Sequence, residues 1–281
     1  MADQIIGDAA VKRQALIAAL VQKELIASSK LAATVMNVSQ FAVPGSKSIE
    51  FPYANSFSVT KKVSGTAVDA AALTYAGDTL NLDQHAVIQW LIEDKASLQS
   101  IVNVEVDAIA RATRAHAKGV DVDVYTQLIA GADNAAQSVS FTGNTNTTMG
   151  RADIINALKI LELQEVDVEN GEVYLAINPT QKSEILNISD FIDASKFGSN
   201  VPIQKGVIGE VLGAKVIVTT SVTADAAVMY HKEALALGFQ QMPRFKQQSD
   251  LANVAERYSL DQLYGLKYMQ EGIMSVKLYQ A

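Results

Sequence analysis

The chain has 281 residues, of which 49% are hydrophobic and 19% are charged, so it can bury a sizeable core and an intrinsically disordered chain is excluded. It contains no cysteine, which excludes disulfides, thiolate metal sites and a cysteine nucleophile. The net charge of -7 excludes a globally basic surface, so any contact with nucleic acid must be weak or local.

The N-terminal stretch carries no signal for export or membrane insertion. No basic run precedes an apolar core and a small-residue cleavage site, and no apolar run approaches the roughly 20 residues that span a bilayer. We therefore expect a soluble protein made inside the cell. Residues 8–34 are rich in Ala, Leu and Ile among scattered Lys and Arg, which predicts an amphipathic helix followed by a looser arm. The first helix of a globular domain is the alternative.

A pattern of period two begins after Val43-Pro44-Gly45. Apolar and polar residues alternate over residues 49–59, as in a strand, and a second extended stretch covers residues 79–94. The residues between them are too polar and too rich in small side chains for a core element, so we predict one long hairpin with a mobile tip. A two-stranded ribbon is marginal in water, and an exposed strand edge invites pairing. The hairpin therefore implies a partner surface, unless its strands belong to a compact sheet within the subunit.

The longest periodic stretch covers residues 96–131, where apolar residues recur at steps of three or four. We expect these to form one buried stripe: Leu98, Val102, Val106, Ile109, Thr113, Ala117, Val120, Val124 and Leu128. The opposite side is polar, with Asp107 placed four residues before Arg111 as in a stabilising pair. Such a helix would be about 50 Å long. Gly119 interrupts it, so a bend or a break there is the alternative to one continuous helix.

Arg111, Arg114 and Lys118 form a short basic row on the polar side of this helix. One interpretation is pairing with Asp107 together with solvation. The other is a weak patch that faces nucleic acid and makes non-specific phosphate contacts.

The rest of the chain has shorter periodic segments. We predict, in order, a Ser/Thr/Asn/Gly loop at 138–148, a helix at 149–163, a strand at 172–177, two strands joined at a glycine at 206–219, one strand at 228–239, and two strands at 261–279 separated by a turn at Glu271-Gly272. A further helix begins with Asn178 as its N-cap and Pro179 as its first residue.

Enzyme and cofactor motifs are missing from the sequence. Gly206, Gly209 and Gly213 do not have the dinucleotide-binding spacing, and no P-loop or nucleophile-elbow motif occurs. No metal-ligand spacing relates the three histidines, His85, His116 and His231. The sequence has two pairs of neighbouring acids, Glu93-Asp94 and Asp121/Asp123. We interpret them as solvated or helix-terminal charges. We predict no catalytic, cofactor-binding or metal-binding residue, and we expect His116 to lie in the core.

Four stretches, in this order, resemble the major capsid proteins of tailed bacteriophages, which share the Hong Kong 97 fold. The return strand of that family's extended loop and its entry into the spine helix resemble TLNLDQHAVIQWLIEDKAS. The strand, Asn-Pro and helix of the axial domain resemble VYLAINPTQKSEIL. Two later strands of the family resemble GEVLGAKVIVTTSVTA and AVMYHKEALALGF.

The resemblance implies an α+β fold of the Hong Kong 97 type. Its parts would be an N-terminal arm (1–44), an extended β-hairpin loop (45–77), a peripheral domain with the spine helix (78–148), an axial domain (149–224) and closing strands (225–281). In the family, the arm reaches a neighbouring subunit, the extended loop lies over the adjacent peripheral domain, and the axial domain lines the centres of hexamers and pentamers.

The resemblance also implies a function. The chain would be a structural protein that self-assembles into hexamers and pentamers of an icosahedral head enclosing double-stranded DNA, assembled in the bacterial cytoplasm and carried in the virion. Its partners would be further copies of itself, a separate scaffolding protein, a portal and, weakly and without sequence preference, the packaged DNA. No cofactor and no membrane are expected. The alternatives are an encapsulin-like compartment that holds enzyme cargo, an α/β enzyme with an unrecognised site, and a binding module such as a minor virion protein.

Particular residues take roles under this resemblance. The loop would contact the next subunit through Phe51, Phe57, Lys61 and Lys62, and Gly45 and Gly77 would act as hinges at its base. The prototype's covalent lysine-asparagine crosslink needs a loop lysine, but no matching acid or asparagine can be assigned here. We therefore predict no crosslink through Lys61 or Lys62, since exposed loop lysines ordinarily only add solubility.

Overall fold

The computed structural model describes residues 29–54, 57, 59, 61–62, 64–65, 70, 72–95, 104–132, 137–143, 148–168, 171–187, 209–269 and 274–280. The helices in these ranges are α1 (Val104–Gly131), α2 (Arg151–Leu163) and α3 (Pro179–Leu186). The strands are β1 (Met36–Asn37), β2 (Ser48–Ala54), β3 (Tyr75–Asn81), β4 (Gln84–Glu93), β5 (Ser138–Ser140), β6 (Val173–Ile177), β7 (Glu210–Val211), β8 (Ala214–Val218), β9 (Ala226–His231), β10 (Leu235–Asp250), β11 (Ala255–Tyr268) and β12 (Ser275–Tyr279). Two 3-10 turns cover Ser39–Phe41 and Lys232–Ala234.

The strands form three sheets. A four-stranded sheet has the order β1-β10-β11-β4, and a six-stranded sheet has the order β5-β12-β9-β6-β8-β7. Among the described strands, β2 and β3 pair only with each other. Helix α1 packs on one face of the four-stranded sheet, where Ile109 and Ala112 meet Phe245, Tyr258 and Leu260. The largest apolar core lies in the six-stranded sheet and its helices α2 and α3. The mixed α+β architecture predicted from the sequence is confirmed.

Helix α1 continues through Gly119 without a break. The buried stripe is confirmed from Ile109 to Leu128. The prediction that Val106 belongs to the stripe is wrong, because the Val106 side chain is 61% exposed. Glu105 is half-buried in its place, because Glu105 lies four residues before Ile109 and seven before Ala112 and so shares their face. The predicted stripe residues Leu98 and Val102 lie outside the described residues, as does most of the predicted N-terminal helix.

The predicted hairpin is present as an isolated two-stranded ribbon, formed by β2 and β3. Its register runs from Ser48 opposite Asn81 to Ala54 opposite Tyr75. The single extended stretch predicted over 79–94 is wrong, because the chain changes sheets after Asn81 and β4 pairs with β11. The Leu82 N–H donates to the Lys47 carbonyl at 3.0 Å, which closes the ribbon before β4 begins.

The six-stranded sheet bears out most of the short predicted elements. Asn178 caps α3, with its side chain accepting from Thr180 N at 3.1 Å. Strands β7 and β8 are joined through Gly213, whose φ of +86° suits glycine. The loop predicted over 138–148 is wrong for its first three residues, which form β5 and pair in parallel with β12. Gly206 lies outside the described residues.

The C-terminal strands differ most from the sequence-based prediction. The single strand over 228–239 is wrong: β9 and β10 belong to different sheets and are separated by a 3-10 turn at Lys232–Ala234. Strand β10 runs on to Asp250 and forms a long hairpin with β11, which the sequence pattern missed. The two strands predicted over 261–279 are confirmed as the end of β11 and β12, and the turn at Glu271-Gly272 lies outside the described residues.

Candidate assembly surfaces

The base of the ribbon rests on a pair of glycines in the four-stranded sheet. Gly238 of β10 and Gly265 of β11 are opposite each other in the ladder. A Cβ atom on Gly265 would overlap the Asn81 carbonyl oxygen and would lie 2.8 Å from a methyl carbon of Leu80. The backbone of the ribbon can cross the sheet this closely only because no side chain stands at that position.

Apolar and ionic contacts complete this junction. A small core joins the segment before the ribbon, the ribbon base and β10; it contains Val38, Ala42, Ile49, Leu80, Leu82 and Ala236. Asp78, which is 5% exposed, lies 3.6 Å from the Lys267 ammonium group. The ribbon is thus fixed at its base, on the face of the sheet opposite to α1.

Beyond its base, the ribbon presents apolar side chains to solvent. Phe57 is 62% exposed and Val59 is 94% exposed, and Leu73 and Tyr75 on the return side are 50% and 70% exposed. Phe51 differs from them, because it is half-buried against the ribbon-base core of its own subunit. Lys61 and Lys62 are also exposed. The part of the ribbon with unpartnered apolar surface is therefore its distal part.

The two predicted hinge glycines occupy different positions. Gly45 lies before β2 with φ +97°, a conformation that favours glycine, and a Cβ atom there would meet nothing within 4 Å. Gly77 is not at the ribbon base. It lies inside β3 opposite Pro52, where the ladder constrains the backbone. The placement of Gly77 at the base was therefore wrong, because β3 runs on to Asn81.

The basic row lies on the exposed side of α1. Arg111, Arg114 and Lys118 are all exposed, and the Arg111 guanidinium donates to Asp107 at 2.8 Å. The predicted i,i+4 pair is therefore confirmed. With both of its partners largely in solvent, this pair contributes little to stability.

Asp121 of α1 holds the segment that precedes β1. Its interpretation as a solvated or helix-terminal charge is wrong, because it lies within α1 and is buried by residues from a distant part of the chain. Its carboxylate accepts backbone N–H groups of Lys30, Leu31 and Ala32 at 2.9, 3.0 and 3.1 Å, and it is 2% exposed. Burial raises the pKa of Asp121, while these hydrogen bonds act in the opposite direction. The Lys30 ammonium group reaches Val218 O of the six-stranded sheet at 2.9 Å, so one short segment connects α1 to both sheets.

A second buried carboxylate lies on the face of the four-stranded sheet that is opposite to α1. Asp261 is 3% exposed and is 2.9 Å from Arg244, 3.8 Å from Lys246 and 3.8 Å from His85. Burial alone would raise the pKa of Asp261, but hydrogen bonds from Arg244 and Gln241 outweigh it and hold the pKa below its usual value. Arg244 and Lys246 thereby tie β10 to β11, and His85 of β4 lies beside the cluster.

The tip of the β10–β11 hairpin exposes two further aliphatic side chains, which sequence reasoning also missed. Leu251 is 90% exposed and Val254 is 67% exposed. Val254 has φ +47°, a strained conformation for a β-branched residue. Asp250 braces the turn by accepting from Ala252 N, the Asn253 side chain and Arg257.

The three histidines and their polar neighbours hold local structural positions in the part of the chain that the structure describes. His116 is 3% exposed with its Nε2 atom 3.0 Å from Leu260 O, so the predicted core histidine is confirmed. His231 accepts from Glu233 N through Nδ1, and Asp123 accepts the hydroxyl hydrogen of Tyr264. Among the described residues no group of His, Asp and Glu is arranged to hold a metal ion. Within the same ranges no helix combines the length and the apolarity needed to cross a membrane.

Comparison with known proteins identifies the family. A family model described as phage capsid protein matches residues 95–267, which is more than half of the chain. No curated protein sequence matches the chain.

Solved structures share the fold at low sequence identity. A structure from Mycobacterium phage Che8 has a TM-score of 0.74 at 22% identity, covering 89% of this chain and 90% of that one. The capsid structure of cyanophage P-SCSP1u has a TM-score of 0.73 at 16% identity, with 90% and 88% covered. A virus-like particle from Pyrococcus furiosus has a TM-score of 0.57 at 11% identity, with 95% and 99% covered.

These similarities agree with the architecture of an isolated ribbon, a long helix on a four-stranded sheet and a separate six-stranded sheet. Self-association into a capsid, and a place in the virion, follow from the family. The chain has the Hong Kong 97-type capsid fold, belongs to the phage capsid protein family and is a structural major capsid protein.

Proposed function

We propose that the chain forms hexamers and pentamers that close into an icosahedral head around double-stranded DNA. The arm is assigned to residues 1–44, the axial domain to 149–224 and the closing strands to 225–281. The extended loop, which the resemblance assigns to 45–77, includes the return strand to Asn81, and the peripheral domain follows it to residue 148. The observation that carries the proposal is the ribbon, which is fixed at Gly265 and exposes apolar side chains beyond its base. Apolar side chains exposed together in this way mark a surface that contacts another protein.

The partner of the ribbon is an adjacent subunit. In a shell every copy offers its ribbon to a neighbour and receives one, so contacts that are individually weak add up around the ring. Phe57, Lys61 and Lys62 lie on the exposed part of the ribbon and are assigned to this interface. Phe51 is assigned mainly to the ribbon base, since its own subunit covers part of it.

The basic row on α1 is assigned to the lumen side, where it meets packaged DNA. Its interactions are electrostatic and without sequence preference. Lys118 supplies more of this attraction than Arg111, because Arg111 already pairs with Asp107.

Assembly in the bacterial cytoplasm with a scaffolding protein and a portal completes the proposal. Gly45 remains the candidate hinge before the ribbon, because its exposed position and positive φ allow the backbone to turn there. Cargo enclosure, as in an encapsulin-like compartment, is distinguished by content: shells purified from the native host contain double-stranded DNA under our proposal and enzyme under the alternative.

The proposal is tested by assembly of the purified chain, alone and with candidate scaffold, followed by light scattering and negative-stain microscopy. Closed shells, or rings of five and six subunits, are expected. The double variant Phe57→Ser/Val59→Ser should lower the yield of shells while leaving the unfolding free energy of the free subunit unchanged, because both side chains are exposed in the free subunit. Val122→Ser, an exposed aliphatic residue in line with Lys118 on α1, is the matched control and should assemble normally. A chain that stays monomeric under every condition contradicts the proposal.

A further inference from the structure

The turn between β7 and β8 carries a leucine in an unfavourable backbone conformation. Leu212 and Gly213 connect Val211 to Ala214, which are opposite each other in the ladder, and the φ angles of the two turn residues are +51° and +86°. A two-residue hairpin turn with two positive φ angles ordinarily takes Asn or Asp followed by Gly, because a larger side chain is crowded there. Leucine at the first position is therefore strained.

The exposure of this leucine indicates a contact outside its own subunit. The Leu212 side chain is 47% exposed, so its own fold buries only part of its apolar surface. Backbone strain persists at positions where function requires it, and an exposed aliphatic side chain in a strained turn fits an interface residue.

A negative charge lies beside the exposed leucine. Glu210, two residues before Leu212, is exposed. Lys215 is opposite Glu210 in the ladder, but its ammonium group lies over the Tyr174 ring, 5.7 Å from the ring centre. The turn therefore presents an apolar side chain next to an acidic one.

A groove with complementary chemistry lies at the other edge of the six-stranded sheet, between β5 and α2. Its volume is about 440 Å³. Lys159 is exposed there, and Leu163 is 68% exposed. The walls combine these two side chains with hydroxyl and amide groups; they include Ser138, Ser140, Thr142, Asn156, Lys159 and Leu163. The groove thus offers an apolar contact next to a positive charge.

The turn and the groove lie on opposite sides of one sheet. In the order β5-β12-β9-β6-β8-β7, strand β5 is first and β7 is last, and neither pairs on its outer side among the described strands. More than four strand spacings of about 4.8 Å separate them, so they cannot meet within one subunit. Complementary surfaces on opposite sides of a subunit make head-to-tail contacts, which close into a ring when the rotation between neighbours divides a full turn.

We propose that the β7–β8 turn of one copy of this chain docks in the β5–α2 groove of the next copy, with Leu212 against Leu163 and Glu210 near Lys159. This rests on the proposed rings of five and six subunits and specifies a contact that repeats around each ring. A single side chain in an open groove can pivot, so the same contact serves both ring sizes.

Crosslinking tests the contact directly. The chain has no cysteine, so Ser140→Cys and Leu212→Cys can be introduced together and treated with a short bismaleimide after assembly. Because the two positions are too far apart within one subunit, the double variant should give covalent multimers of up to six chains on a denaturing gel. Each single variant is a control and should stay monomeric.

The outcomes separate this contact from the shell proposal. Shells of the double variant that yield only monomers on the gel overturn the contact and leave the shell proposal standing. An unmodified chain that forms neither rings nor shells counts against the shell proposal instead. The exposed Leu251 tip is the rival occupant, so Ser140→Cys/Leu251→Cys is the matched double variant and should stay monomeric. Multimers from that pair alone assign the groove to the tip and overturn the role of Leu212.

Leu212→Asn distinguishes a contact residue from a residue that stabilises its own subunit. Asparagine adopts a positive φ more readily than leucine, so the urea midpoint of the free subunit should stay the same or rise. The yield of shells should nevertheless fall by about tenfold, because the contact is lost at every copy in the ring. Leu212→Met keeps an apolar side chain of similar size and should assemble normally. A lower midpoint in Leu212→Asn, or normal assembly of that variant, would overturn the contact.

Discussion

Gly265 is the residue at which the ribbon is fixed to the body of the subunit. We predict that Gly265→Ala destabilises the free subunit by about 2 kcal/mol or more, because the added methyl overlaps backbone atoms of Asn81 that cannot rotate away. Urea unfolding followed by circular dichroism measures the change. Gly119→Ala is the matched control. It lies on the exposed side of α1 with nothing within 4 Å of the new methyl, so it should stabilise the subunit by about 1 kcal/mol.

His116 makes the free energy of unfolding of the subunit depend on pH. Burial lowers the pKa of His116 below 6.5, although the hydrogen bond to Leu260 and the charge of Asp261 oppose the shift. The unfolded chain then binds more protons than the folded chain as the pH falls below about 6.5, so stability decreases in that window, with a slope of at most about 1.4 kcal/mol per pH unit.

His116→Gln should flatten this dependence, because glutamine keeps a donor for Leu260 O but does not titrate. The free energy of unfolding measured in urea from pH 7.5 to pH 5 is the test. An unchanged slope in the variant would assign the acid response to other groups.

At the scale of the element, α1 holds residues 30–32 through one buried carboxylate. Asp121→Ala leaves three backbone N–H groups of residues 30–32 without their acceptor, and we predict a destabilisation of about 2–4 kcal/mol. Asp107→Ala, the same substitution on the same helix, removes only the exposed pair with Arg111 and should cost about 0.5 kcal/mol or less. Equal destabilisation of the two variants, measured by thermal and urea unfolding, would contradict the role given to Asp121.

At the scale of the whole molecule, the net charge of -7 requires any binding of DNA to be local. We predict that replacing Arg111, Arg114 and Lys118 together by alanine weakens the retention of DNA fragments. The plot of log K, the DNA-binding constant, against the logarithm of the salt concentration should also become less steep. Its slope should decrease in magnitude by about 0.9 for each phosphate that the variant no longer neutralises. Fluorescence anisotropy at several salt concentrations measures both quantities. Lys118→Ala alone should have a larger effect than Arg111→Ala, and a salt slope unchanged in the triple variant would remove α1 from the DNA-facing surface.

The sequence determined the features that depend on neighbours along the chain. The period of α1, the Asn178-Pro179 start of α3 and the alternation in the ribbon were all readable, because helix and strand periods and caps are local properties. The isolated ribbon also implied a partner, since two strands alone do not bury enough surface. The order of these elements then carried the resemblance to phage capsid proteins.

Only the tertiary structure decided which strands share a sheet. The alternating residues before and after Lys232–Ala234 look alike in sequence but enter different sheets, and the same is true on the two sides of Leu82. The part of β10 beyond Phe239 could not be predicted because an edge strand protected by Pro243, Lys246 and bulges lacks a regular apolar alternation. The close approach at Gly265 and the carboxylate of Asp121 were equally hidden, because both depend on atoms from segments far apart in the chain that only folding brings together.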